Sequence, residues 1–209
     1  MPRNFVLVSR AYQALLNKPN AMRLSQLESL PRVPGRVVFL GDVLAHDGLW
    51  NEWFPDLPTL NNGLSASSAQ DALDRLDRTI VAPAAVVVMT GYGDLTGMGS
   101  SRKPDDIAAQ IRLLLHRLHD RFPATPVLVV SVQPDKRARH ANAVKQLNAR
   151  LRDLTLETGS TYVDVWHALA DSDGTLRSDC SDHGLNGSAY KAITGVLAPH
   201  LTALKEASA

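Results

Sequence analysis

Val37-Val38-Phe39-Leu40-Gly41-Asp42-Val43-Leu44-Ala45-His46-Asp47-Gly48-Leu49-Trp50 is the stretch on which the reading of this chain turns. Four apolar residues with no charge have the length and composition of a strand covered on both faces. Gly41-Asp42 then turns the backbone at the strand's carboxyl end, the edge where open α/β sheets place their ligands. Val43 follows directly. Valine has no ionisable or nucleophilic atom, so no covalent intermediate forms on it.

The same pattern recurs outward from this stretch. Thr59-Leu60-Asn61-Asn62-Gly63-Leu64-Ser65 reads as a second short strand with its exit turn. Ala84 to Met89 reads as a third strand, Val127 to Val132 as a fourth and Tyr162 to Val165 as a fifth. Helical spacing lies between them. Leu73, Leu76 and Ile80 follow a Ser67 or Ser68 cap, and Ile107, Ile111, Leu114, Leu115 and Leu118 follow Pro104. Val144, Leu147, Leu151 and Leu154 precede a stop at Gly159, and a last helix carries Ile193, Val196, Leu197, Leu201 and Leu204. Strand and helix alternate five times, which predicts a three-layer α/β/α fold around a five-stranded parallel sheet. Residues 1–34 read as a helical extension broken at Lys18-Pro19-Asn20, ahead of a core at 35–209 within a single domain.

Composition narrows the function classes. Hydrophobic residues at 44% and charged residues at 21% are globular values. The net charge of +1 is too balanced for a nucleic-acid or polybasic membrane surface. A lone cysteine, Cys180, excludes an internal disulfide and fits a reducing compartment. The apolar patch Phe5 to Val8 is too short for a signal sequence or a membrane span, so the expected location is the cytoplasm. Trp50, Trp53 and Phe54 read as edge packing. Asp171-Ser172-Asp173-Gly174 reads as a turn, since the glutamate that closes a calcium loop is absent.

Four turns together resemble the sequence blocks of the SGNH (GDSL-type) hydrolases, whose fold is a flavodoxin-like parallel sheet. Gly41-Asp42-Val43 resembles the first block, with Val43 where the nucleophilic serine belongs. Asn61-Asn62-Gly63-Leu64-Ser65 is similar to the second, and Thr90-Gly91-Tyr92-Gly93-Asp94-Leu95 to the third, with Gly93 replacing the asparagine. In the last block, alignment on Leu185-Asn186 and Tyr190 puts Ser181 and Gly184 at the aspartate and histidine positions. A one-residue deletion would instead put Asp182 at the aspartate position and leave His183 as a displaced base.

The resemblance implies an oxyanion hole made of two backbone N–H groups and the asparagine side chain. Val43 and Gly63 keep their N–H groups, so the expected site holds a carbonyl without attacking it. Asp42, Asn62, Tyr92 and Gly93 complete the expected binding residues. His46, Asp94, Asp182 and His183 are the expected acid–base residues, His46 foremost because imidazole changes charge near neutral pH. Neither a cofactor nor a metal is expected, and the expected partner is a small acyl or carbonyl compound, not nucleic acid or membrane. The Asp135-Lys136-Arg137-Ala138-Arg139-His140 run reads as a solvated face, and Cys180 as inert. Three functions remain: an acid–base enzyme acting by isomerisation, elimination or cyclisation; a binding module without turnover; and a hydrolase with a relocated nucleophile or an activated water.

Overall fold

The structure, a computed structural model, describes residues 19–97, 102–137 and 140–207. Five strands form one all-parallel sheet: β1 (Val37–Gly41), β2 (Thr59–Gly63), β3 (Ala85–Met89), β4 (Val127–Val130) and β5 (Thr161–Val163). Their order across the sheet is β2-β1-β3-β4-β5. The chain leaves β1 toward one edge and returns beyond it on the other side, so the carboxyl ends of β1 and β3 flank the switch point of the sheet.

Alternation along the strands builds two cores. Val38, Leu40, Val86, Val88, Val127 and Val129 face one side. There they pack against α4 (Ala69–Thr79), α6 (Pro104–Arg121) and α7 (Ala141–Thr158) through residues such as Leu76, Ile111 and Leu147. Val37, Phe39, Val87, Met89, Leu128 and Val130 face the other side, under α2 (Val43–Asp47), α3 (Trp50–Trp53), α8 (Trp166–Leu169) and α9 (Gly187–Ala207). Strands buried on both faces must be apolar throughout, which is why they read as unbroken runs.

Local chemistry sets the element boundaries. Ser68 caps α4, accepting from the Asp71 N–H while the Asp71 carboxylate accepts from the Ser68 N–H. Gly159 ends α7 in the left-handed region at φ +72°. Trp50 lies 4.0 Å from the Phe39 ring and donates its indole N–H to the Ala45 carbonyl, so it is core, not edge packing. Phe54 is buried with it, and Trp53 is the exposed member of the three. The fourth and fifth strands stop two residues short of expectation, at Val130 and Val163, and the fifth begins one residue early. A Gly174-centred turn occupies 171–174.

Helix α1 (residues 19–29) covers the free edge of β2, where Arg23 donates to the Gly63 carbonyl at 2.8 Å. The expected helical segment before Lys18 lies outside the described residues. No described helix is long and apolar enough to cross a membrane.

Candidate active site

Asp42 is the hinge of the site. It caps α2 by accepting from the Leu44 N–H at 3.2 Å, and its second oxygen accepts from the Tyr92 and Gly93 N–H groups at 3.1 and 3.2 Å. Its own N–H bonds the Met89 carbonyl, so one buried residue locks the turn after β1 to the turn after β3. Burial pushes its carboxyl from the ordinary 3.8 up to about 7, against the pull of those three donors. Asp42 is therefore structural. Gly91, at φ +114°, makes the facing turn possible and leads into α5 (Tyr92–Thr96).

Val43 opens α2 and is half-buried. Among the described residues its backbone N–H has no acceptor, so it remains a donor for a ligand oxygen. The Gly63 N–H is not equivalent. It is bonded to the Asn61 side-chain oxygen at 3.0 Å, and the expectation that it serves the ligand is corrected. The glycine is needed for another reason: a Cβ there would lie 2.1 Å from the His46 backbone nitrogen.

Asn62 is corrected too. It is wholly buried, donating to Thr79 and accepting from Arg75, because its side chain leaves the strand on the α4 face. Its neighbour Asn61 points the other way and donates to the His46 and Gly48 carbonyls. Arg75, which sequence reasoning missed, is buried beneath the site. It donates to Ser67 and to the Gly41 and Asn62 carbonyls, and burial lowers its guanidinium to about 10.

Of the expected acid–base residues, His46 pairs with Asp47 at 2.6 Å on a surface where the Asp47 side chain is half exposed. Asp94 is buried and already engaged, accepting from the Ala69 N–H at 3.0 Å and from Arg102 at 2.9 Å. Burial pushes its carboxyl up. Asp182 and His183 are exposed in the turn closed by the Ser181 hydroxyl on the Gly184 carbonyl, and Lys136 donates to the Asp182 carbonyl. Cys180 is buried, and burial raises its thiol.

At Gly93, where the resemblance led to an asparagine, the backbone leaves no room for a side chain. A Cβ at this position would meet the Ser67 carbonyl oxygen at 2.9 Å, so the turn after β2 has closed on the space a side chain would need. In that turn Ala66 takes φ +54°, a left-handed conformation unusual outside glycine. Around Gly184, in contrast, a Cβ would meet nothing within 4 Å.

At the ends of the Asp135–His140 run the solvated reading fails, since Asp135 is buried and His140 half-buried, while Lys136 and Arg137 are exposed as expected. Asp135 is 8% exposed, its carboxylate paired with the His140 imidazole and 3.4 Å from the Tyr92 hydroxyl. Burial, then the nearby Asp135 charge, pushes the Tyr92 phenol up to about 12. Among the described residues, no group of three His, Cys, Asp or Glu side chains is arranged to hold a metal ion.

A parallel sheet in 2-1-3-4-5 order with its ligand turns at the β1/β3 switch point, and a capped elbow after β1, defines an SGNH-type α/β fold. The profile of the GDSL-like Lipase/Acylhydrolase family matches residues 32–204, and the chain belongs to that family. It is 27% identical over 152 residues to the bovine platelet-activating factor acetylhydrolase IB subunit alpha1, covering 67% of this chain and 62% of that protein. A structure from Streptococcus pneumonia, described as a platelet activating factor, superposes with a TM-score of 0.82 at 17% identity, over 94% of this chain and 99% of that one. A GDSL-like lipase from Bacteroides thetaiotaomicron gives a TM-score of 0.73 at 17% identity, over 91% and 97% of the two chains.

Proposed function

We propose that this protein binds a small acyl or carbonyl compound at the carboxyl edge of β1 and β3 and converts it by acid–base chemistry without an acyl-enzyme. The reaction class is isomerisation, elimination or cyclisation through an enolate-like state. The observation that carries this reading is position 43. The elbow, its Asp42 cap and its unpaired N–H are in place, while the side chain that would attack is an isopropyl group. A second reading, a ligand-holding protein without turnover, draws support from the pairing of His46 with Asp47, the engagement of Asp94 by Ala69 and Arg102, and the exposure of Asp182 and His183.

Two measurements test the proposal. Intact-mass analysis after a serine-directed fluorophosphonate is expected to show no adduct on the wild type; an adduct overturns it. Calorimetry with butyryl-N-acetylcysteamine is expected to show saturable binding that Val43→Arg abolishes. Absence of binding by the wild type overturns the ligand class.

A further inference from the structure

We infer that His140, oriented by Asp135 beside Tyr92, is the general base of this site, acting on the carbon next to the ligand's carbonyl. The inference rests on the reading of the site as catalytic and names the group that reading lacks.

The three residues come from separate elements. Tyr92 opens α5 after β3, Asp135 lies in the segment after β4, and His140 precedes α7. All stand at the carboxyl edge of the sheet, and contacts join them to the elbow. Asp42 holds the Tyr92 backbone, the Tyr92 hydroxyl reaches one Asp135 oxygen, and the His140 Nδ1 is bonded to the other. The Asp135 carbonyl is fixed in turn by the Leu176 N–H at 3.1 Å.

A carboxylate accepts, so the imidazole proton facing Asp135 sits on Nδ1, and the lone pair is on Nε2. Among the described residues Nε2 has no partner. The Asp135 side chain is 9% exposed and that of His140 18%, so water is largely kept from the carboxylate while the imidazole can be reached. The His46–Asp47 pair has the same two residue types, but its carboxylate is 54% exposed and its hold on the ring is screened. This is the base-and-orienter half of a hydrolytic triad. Among the described residues, no serine, threonine or cysteine is hydrogen-bonded to His140.

The step balances without a co-reactant. The proton on the α carbon moves to Nε2, giving an imidazolium that the Asp135 charge stabilises. The C–H electron pair becomes the enolate, whose oxygen accepts from the Val43 N–H. Return of a proton from the imidazolium to the carbon restores the ligand, and in heavy water it returns as deuterium.

The test follows deuterium uptake at the α carbon of butyryl-N-acetylcysteamine in heavy water by NMR. The wild type is expected to exceed buffer, and His140→Gly to lose roughly 100-fold or more. Free imidazole is expected to restore exchange to His140→Gly, which repair of a merely structural defect would not do. His167→Gln, at an exposed histidine on α8, is expected to match the wild type. Circular dichroism establishes that His140→Gly is folded. If it is not, His140→Gln takes its place with the same expected loss. Exchange that survives at position 140 but fails in His46→Gln overturns this assignment and leaves the catalytic reading standing. Exchange no faster than buffer, although the probe binds, overturns both in favour of a binding protein.

Discussion

Asp42 shows how one residue can be indispensable to a site without acting in it. Three N–H groups point at its carboxylate, yet burial outweighs them and its pKa is raised to about 7. The folded state therefore binds a proton that the unfolded chain releases near 3.8. The stabilisation is fully present below about pH 4 and is lost as pH rises through about 7. Thermal unfolding of the wild type should accordingly show the midpoint falling between pH 4 and pH 7. Asp42→Asn should lower the midpoint at every pH and flatten that fall.

Among the elements, β2 and α2 meet across a gap that only glycine fits. Gly63→Ala would drive a Cβ to within 2.1 Å of the His46 nitrogen, and neither backbone can yield without disturbing the Asn61 bonds beside it. Urea unfolding is expected to show a loss of about 3 kcal/mol. The same strand marks where sequence reading stops. The five strands were legible because burial on both faces leaves an unbroken apolar run, and the turns because glycine and aspartate punctuate them. Asn61 and Asn62 were not separable, since side chains alternate and only the register decides which faces α2 and which faces α4. Arg75 sat unmarked in a polar helix pattern. The Asp135–His140 pairing was hidden in a charge-rich run whose Lys136 and Arg137 are exposed, and the contact of Asp135 with Tyr92 spans 43 residues, a distance over which local patterning carries no information.

At the scale of the whole molecule, the chain has the frame of the GDSL-like family. The switch point, the elbow and its cap are present, and Tyr190 of α9 donates to the Leu44 carbonyl, holding the last loop near α2. Position 43 carries a valine, the turn after β2 lies against Gly93, and a Tyr92–Asp135–His140 cluster stands on the same rim. The open space around Gly184 means that a Cβ is accommodated there without displacing the backbone. The central claim is that position 43 sits on an intact, Asp42-capped elbow and carries no attacking group. The most direct measurement is intact-mass analysis after p-nitrophenyl acetate, comparing the wild type with the double variant Val43→Ser, Gly184→His. The account predicts no acetyl adduct on any wild-type serine and a turnover-competent adduct at position 43 of the variant. A wild type that is acetylated on a serine and releases acetate above background contradicts it.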